Sequence, residues 1–495
     1  MRALRLLLLA TLIASCSGSS TPRTESSSGG EASPEAGAGL LEASLAARID
    51  AAASEVLAAT GAPSASIAIV QEGRLAYARA YGSANLETHA PATTAMRYGI
   101  GSVSKQFTAT AVLMLVEDGR LSLEDPIGRY VPGLTGGDRV TVRQVLDHTA
   151  GYRDDWPQDY VPASMQQPTS MRAVADAWGA APLDFEPGAQ WQYSNTGYAI
   201  AGLLVESVAH EPLVDFLQRR VFAPLGMAHV ADQDRDPHVL DPVGYSRFAL
   251  GPPRVSPSVG TGWMAAAGEL AMPPSDLARW NISLMDRSLL HPASYDALLS
   301  ATTLTNGTST SYGLGIGVRG EPGRRVWAHG GEINGFLTEN RVYPDQRAAI
   351  TVVVNCDFAG ASELADRLEA ILIPPAASTV PVTSAATSST TDPAELTARV
   401  RAEYDALREG RVDRQTLTPN GSAYFDDVAL ADFRSSLGPL GEPTEFVLER
   451  QRLRGGLTVE VFRVRHGART VRIVRRAEID GAHRVEQFLV FPTTE

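Results

Sequence analysis

The sequence predicts an α+β protein: one antiparallel sheet assembled from both ends of a large block, a helical region inserted between those ends, and a small helix-plus-sheet domain behind them. Three observations carry this. Residues 64–82, "SASIAIVQEGRLAYARAYG", read as two strands joined by a tight turn. Between 325 and 355, "RVWAHGG", "LTENRVYP" and "AAITVVVN" read as three more, and their hairpin-length connections make them antiparallel. The long stretch separating the two groups is mostly helical in pattern, so the sheet has to close around it.

The elements follow in chain order. "MRALRLLLLATLIASCS" sets two arginines before a short apolar run and then small residues, the plan of an export signal over residues 1–15 rather than a membrane span. Its end, Leu12-Ile13-Ala14-Ser15-Cys16, resembles the bacterial lipoprotein processing box, which makes Cys16 the expected lipidation site; the alternative is a plain secretory signal with an incidental cysteine. The expected location is therefore the bacterial cell envelope, on its periplasmic or extracellular face, with the membrane reached through a lipid on Cys16. Residues 16–39 are rich in Ser, Gly, Pro and Glu with no aromatic residue, and read as a disordered tether. A block over 40–373 then opens on the helical "LLEASLAARIDAAASEVLAA" and closes on the helical "GASELADRLEAILI". Residues 374–393 are a Pro/Ser/Thr/Ala-rich linker, and 394–495 form the small α+β domain. In that domain a helix with Leu396, Val400, Tyr404 and Leu407 along one stripe precedes four strand-like segments. No catalytic grouping is visible there; docking to cell-wall material, shaping of a pocket and dimerisation are the open roles.

With 44% apolar and 20% charged residues, a chain of 495 residues has material for a sizeable core and two folded units. A formal charge of −13 without any basic run argues against nucleic acid as a partner. Of the two cysteines, Cys356 ends an apolar run and reads as a buried small hydrophobe, so no intramolecular disulfide is expected if Cys16 is lipidated. No metal-ligand spacing surrounds the histidines of interest, and no metal or cofactor is expected.

Lys105 is the chain's single lysine among 43 basic residues. It stands in "GSVSKQFTATAVLMLVEDG", three residues after Ser102, on a helix whose Ala109, Val112, Leu113 and Val116 are apolar and whose stop is Gly119. An amine buried there is desolvated and its pKa falls, whereas an arginine would keep its proton. A serine beside such an amine is an activated nucleophile, and a helix N-terminus adds N–H groups for the charge that develops on attack.

Two further groupings follow. In "PGAQWQYSNTGYAIAGLL" an extended "QWQYSN" leads into a helix capped near Asn195, so that Tyr193 and Asn195 project to the same side: a phenol able to relay a proton and an amide able to hold a substrate carbonyl. In "WAHGGEINGF", Gly330 and Gly331 let the backbone approach a ligand beside His329, which can donate a hydrogen bond or carry charge near neutral pH.

Ser-x-x-Lys, Tyr-Ser-Asn and His-Gly-Gly, in that order over about 230 residues, together with "LDHTAGY" (146–152), "YGLGIGV" (312–318) and "HGGEINGF" (329–336), resemble the class C serine β-lactamases, the related D,D-peptidases and D-aminopeptidases, and the esterases built on that fold. The resemblance covers residues 41–373 and implies a β-lactamase/transpeptidase-like fold, an antiparallel sheet flanked by helices with a helical subdomain. It implies that Ser102 forms an acyl-enzyme, that Lys105 and Tyr193 move its proton, that Asn195, His329, Gly330 and Gly331 contact the substrate, and that the backbone N–H groups of Ser102 and Glu332 bind the oxyanion. It also implies a small-molecule or peptide substrate, cell-wall peptide among the candidates. Many members of the family carry Lys-Thr-Gly where this chain has His329-Gly330-Gly331. A partly charged histidine holds a carboxylate less firmly than lysine, so cleavage of a D-amino-acid peptide, amide or ester ranks above β-lactam hydrolysis. The alternatives are a true β-lactamase or a penicillin-binding sensor that does not turn over. His148, in "LDHTAGY", is read as a loop-forming residue outside the site.

Overall fold

The computed structural model describes residues 41–158, 160–373, 392–479 and 482–493. The export signal, Cys16, the tether and nearly all of the 374–393 linker lie outside the described residues.

The large block is built on α1 (Ala43–Thr60) and a seven-stranded sheet made of β1 (Ser64–Gln71), β2 (Arg74–Asn85), β3 (Ala90–Pro91), β4 (Gly317–Arg319), β5 (Val326–Ile333), β6 (Phe336–Tyr343) and β7 (Ala348–Val354). The spatial order is β3-β2-β1-β7-β6-β5-β4, every pairing antiparallel, so the first and last parts of the block meet at β1 and β7, with Ile67 opposite Val352. Both strands are buried along almost their whole length because both of their faces are covered. The period-two alternation divides the work: Ile67, Ile69, Ile350 and Val352 pack with Val56 of α1 and with Leu364 and Leu368 of the closing helix Ala361–Leu372, while Ala68, Val70 and Ala349 join the core of the inserted helical region.

At the centre of that region is α2 (Lys105–Glu117), and Lys105 through Leu115 are all buried. A helix surrounded on every side shows only a weak apolar stripe, and its polar groups need partners. Several have them: Thr108 donates to the Ala266 carbonyl (2.7 Å), and the Trp280 indole N–H donates to the Gln106 amide oxygen (2.7 Å), although the Gln106 amide nitrogen has none. Phe107 fixes the helix between Phe222 and Trp280, with ring centroids 5.4 and 4.9 Å away. α2 is therefore an immobile base for whatever stands at its N-terminus.

The C-terminal domain is a four-stranded antiparallel sheet, β8 (Glu445–Arg454), β9 (Leu457–His466), β10 (Arg469–Glu478) and β11 (Val485–Pro492), in sequential order. The expected stripe Leu396, Val400, Tyr404 and Leu407 is buried on the helix Pro393–Arg408. Two helices that the sequence pattern did not announce complete this core, Pro419–Tyr424 against β11 and Asp427–Leu437 against the helix Pro393–Arg408. Arg475, 1% exposed, is held by Glu403 (2.6 Å) and Glu460 (2.8 Å). The β8–β9 hairpin ends on Gly455 and Gly456, both with positive φ, and packs against residues 153–157 of the large block. A Cβ at Gly455 would stand 2.7 Å from the Pro157 Cβ and 2.9 Å from the Asp154 carbonyl, so only glycine lets the two parts approach this closely.

Phe107→Ala is expected to cost about 3–5 kcal/mol, the cost of opening a cavity beneath the N-terminus of α2. A lowered midpoint of the thermal transition, followed by tryptophan fluorescence, checks it, and an unchanged midpoint contradicts the account of α2 as a locked base.

Candidate active site

Ser102 does not stand on the α-helix itself. It occupies a single 3-10 turn, Gly101–Ser104, that leads into α2. The difference sharpens the geometry, because in a 3-10 turn residues i and i+3 eclipse, which sets Lys105 directly behind Ser102. The distance from Lys105 Nζ to Ser102 Oγ is 3.1 Å. The same nitrogen lies 2.7 Å from Asn195 Oδ1 and 2.8 Å from the Ala267 carbonyl oxygen. As an ammonium, Lys105 donates to all three. As a neutral amine it keeps two N–H bonds, which the Asn195 and Ala267 oxygens accept, and its lone pair is left facing the Ser102 hydroxyl.

Burial pushes the Lys105 amine down to about 7, the nearby Asp154, Asp155 and Glu269 opposing the shift and Arg454 assisting it. The rings of Tyr193 and Tyr198, with centroids 4.9 and 5.3 Å from Nζ, also favour the cation, yet desolvation outweighs them. Glu269 and Asp155 are themselves raised by burial, to about 8 and about 7, which weakens their hold on the lysine's proton.

Tyr193 and Asn195 come to the site together, as expected for residues two apart in an extended segment, with one correction. The helix cap is Ser194, whose Oγ accepts from the Gly197 N–H (3.2 Å); Asn195 is the first residue of α3 (Asn195–Ala209). Its carboxamide, which a capping role would occupy, is thereby free to accept from Lys105. The Tyr193 hydroxyl is buried and faces Ser102, which draws its pKa down, but the pair falls outside hydrogen-bond geometry and leaves the phenol oxygen without a hydrogen-bond partner. Burial is the larger influence and raises the phenol well above its ordinary value, so Tyr193 is neutral near pH 7.

His329 departs from expectation. Burial, with the charge of Lys105 behind it, lowers the ring to about 4, against a smaller upward pull from the Gly330 carbonyl. It is neutral at pH 7, not partly charged, and supplies no cation to a substrate carboxylate. Its partners fix its tautomer. The Ser194 N–H donates to His148 Nδ1 (3.2 Å), which leaves the proton of His148 on Nε2, directed at the Tyr312 hydroxyl 3.3 Å away. Tyr312 then donates to His329 Nε2 (2.8 Å), and His329 Nδ1 donates to the Gly330 carbonyl (2.6 Å). His148, buried with φ +64°, also packs its ring 4.4 Å from that of Tyr193. Its part is to hold Tyr193 in place.

Gly331 and Gly101 explain the closeness of β5 to Ser102. A Cβ at Gly331 would lie 1.9 Å from the Ile100 carbonyl oxygen, and one at Gly101, whose φ is +50°, would lie 2.7 Å from the Glu332 nitrogen. The Glu332 amide is thus brought next to the turn that carries Ser102. Ser102, Tyr193, Asn195, His329, Gly330, Gly331 and Glu332 all line one cavity of about 460 Å³, with Lys105 beneath its floor.

Other parts of that wall were not visible in the sequence. Trp191 is two residues before Tyr193 and shares its side, a signal that spacing could have given. Trp156 and Trp263 come from irregular segments without a pattern. Arg452 and Arg454 come from β8, so a domain in which the sequence showed no catalytic grouping reaches the site.

A serine backed by a buried amine, a neutral phenol and a closely approaching strand of backbone amides is the arrangement of an acyl-transferring serine enzyme. The chain belongs to the Beta-lactamase family, whose model matches residues 49–373. It is 29% identical over 314 residues to the D-aminopeptidase of Brucella anthropi, covering 62% of this chain and 58% of that protein. It is 27% identical to penicillin-binding protein 4* of Bacillus subtilis, covering 57% and 66%. In each case the match spans less than two thirds of the relative's length. A D-stereospecific amidohydrolase from a Streptomyces species superposes with a TM-score of 0.57 at 26% identity, covering 67% of this chain and 99% of that one. The octameric penicillin-binding protein homologue of Pyrococcus abyssi shares the fold over 91% of this chain and 96% of its own, with a TM-score of 0.58 at 19% identity, so the likeness extends into the C-terminal domain.

Gly331→Ala is expected to leave the protein folded but to push β5 away from Ser102; crystallography or loss of acylation by a fluorophosphonate checks it, and full labelling at the wild-type rate contradicts it. The lowered pKa of Lys105 gives a sign as well. The neutral amine is the form that can accept a proton, so the rate of acylation should climb as pH rises through about 7 and level off above it. Lys105→Arg should lower that rate about 10²–10⁴-fold at every pH.

Proposed function

We propose that this chain is a serine hydrolase that cleaves an amide or ester through an acyl-enzyme on Ser102, with D-amino-acid amides and peptides preferred over β-lactams. The observation that carries the reading is the coordination of Lys105 Nζ by Asn195 Oδ1 and the Ala267 carbonyl, which leaves the neutral amine's lone pair directed at Ser102. In the acylation step Lys105 Nζ takes the Ser102 proton as Oγ bonds to the substrate carbonyl carbon, and the backbone amides of Ser102 and Glu332 bind the oxyanion. The carbon–nitrogen or carbon–oxygen bond then breaks, the Tyr193 phenol gives its proton to the leaving group, and the lysine ammonium returns one to the tyrosine. Water repeats the attack with the same groups and releases the acid.

Two features support the preference for an amine-bearing substrate. The neutral His329 offers no cation for the carboxylate that a β-lactam presents. In the cavity wall Glu339 is paired with Arg341 and Arg454 with Asp154, which leaves the carboxyl groups of Glu332 and Asp357 beside the Arg452 guanidinium, a balance that can accept a free ammonium group. Relatives named as a D-aminopeptidase and a D-stereospecific amidohydrolase agree with this preference. Cys16 is, on this reading, the lipid attachment site that holds the enzyme at the cell envelope through the 16–39 tether.

Intact mass followed over time, with D-phenylalanine p-nitroanilide, p-nitrophenyl acetate and benzylpenicillin offered separately, tests the proposal. The expected result is a transient adduct from the first two that decays, needs Ser102, and is lost in Ser102→Ala. A penicillin adduct that never decays would favour a penicillin-binding sensor, and no adduct from any donor would sink the reading. Radiolabelled palmitate incorporated into the wild type but not into Cys16→Ser checks the anchor.

A further inference from the structure

A buried ion pair joins the C-terminal sheet to the catalytic centre. Arg454, the last residue of β8, donates from Nε to Asp154 Oδ2 (2.7 Å) and from a terminal nitrogen to the Trp156 carbonyl (2.9 Å). The Asp154 side chain is fully buried and that of Arg454 is 16% exposed. The other oxygen of Asp154, Oδ1, accepts from the backbone N–H of Asn195 (2.8 Å), the residue whose side chain receives the proton-bearing nitrogen of Lys105. The guanidinium carbon of Arg454 also stands 5.2 Å from the centroid of the Tyr193 ring, and Lys105 Nζ stands 4.9 Å from the same centroid. Gly455 and Gly456 seat the hairpin on Asp154, Pro157 and Arg153, so the approach is built into the backbone.

We propose that Arg454 is a positioning residue of the active site: through its ion pair with Asp154, the C-terminal domain is mechanically and electrically part of the Ser102–Lys105 centre. Mechanically, Arg454 holds Asp154, Asp154 holds the first N–H of α3, and that fixes Asn195 against Lys105. Electrically, Asp154 and Arg454 act on Lys105 with opposite signs, the carboxylate favouring the ammonium and the guanidinium opposing it. A buried carboxylate left without its cation would keep the lysine protonated and silence it as a base. The inference rests on the reading of Lys105 as the base. The other groups facing Lys105 are Asp155 and Glu269 on the acidic side, His148 and His329 as neutral rings, and the phenols of Tyr193 and Tyr198. Among the carboxyl groups acting on Lys105, Asp154 is the first in strength and the one paired directly to the C-terminal domain.

Because Lys105 is the chain's single lysine, full-length protein grown on lysine labelled with carbon-13 at the ε position gives one resonance, whose titration reads this amine without any substrate. In the wild type the midpoint is expected near 7. Arg454→Gln should move it upward and Asp154→Asn downward, each by about one pH unit, the asparagine still accepting from the Asn195 N–H. Opposite movements support the proposal. Midpoints that stay together, or that move in the same direction as general loosening would make them, overturn it. The low-pH limb of p-nitrophenyl acetate hydrolysis should follow the same shifts, and Arg454→Lys should restore the wild-type limb because it restores the charge. A wild-type midpoint near 10 would instead defeat the reading of Lys105 as a base, while the difference between the two variants would still decide the coupling.

Discussion

An amine inside a folded protein loses its proton near neutrality most readily when water is kept from it and its remaining N–H bonds are still accepted. The centre described here depends on meeting both conditions at Lys105. Burial alone would leave a polar group unpaired, at a cost of several kcal/mol, and partners alone would hold the ammonium. Asn195 and the Ala267 carbonyl resolve the conflict, because two acceptors satisfy a neutral amine and orient its lone pair. Each of these oxygens is placed by a separate element, which explains the construction of the surrounding block: α2 is packed on all sides, α3 begins one residue after its cap, and the 266–268 turn is tied to α2 through Thr108.

The same low-dielectric setting shapes the rest of the titratable groups. Glu269 and Asp155 are pushed upward, His329 and His148 downward, and Tyr193 is kept a phenol. Apart from the Asp154–Arg454 pair, charge is therefore scarce in the floor of the cavity, where the reaction would create it, and is gathered in the wall, on Glu332, Glu339, Asp357 and Arg452. Fixed N–H groups act most strongly on a developing negative charge when few mobile charges compete with them.

Much of this was legible in the chain. A single lysine three residues after a serine, before a helix with an apolar face, marks a buried amine beside a hydroxyl and so a candidate base, and that argument needs no neighbour. The strands of the two sheet halves announced themselves by periodicity, as did the buried stripe of the helix Pro393–Arg408. What stayed hidden depends on contacts distant in sequence. The neutrality of His329 follows from a chain of hydrogen bonds through Tyr312 to His148, three residues that no local pattern links. The two further helices of the C-terminal domain are only six and eleven residues long, too short to be stable alone, so tertiary packing decides them.

Arg454 is the clearest case of a residue whose meaning is created by folding. In sequence it is one arginine of several in a polar strand, before two glycines that read as an ordinary hairpin turn. In the structure that turn is the place where a second domain meets the loop carrying Asp154, and its lack of side chains is what allows the meeting. An ion pair at such a junction is neither a surface pair, worth little, nor a core pair that apolar residues could replace, because both of its charges act on a third group. Replacing the pair with matched apolar side chains would remove two opposed charges at once, and with them the acceptor of the Asn195 N–H and the donor to the Trp156 carbonyl.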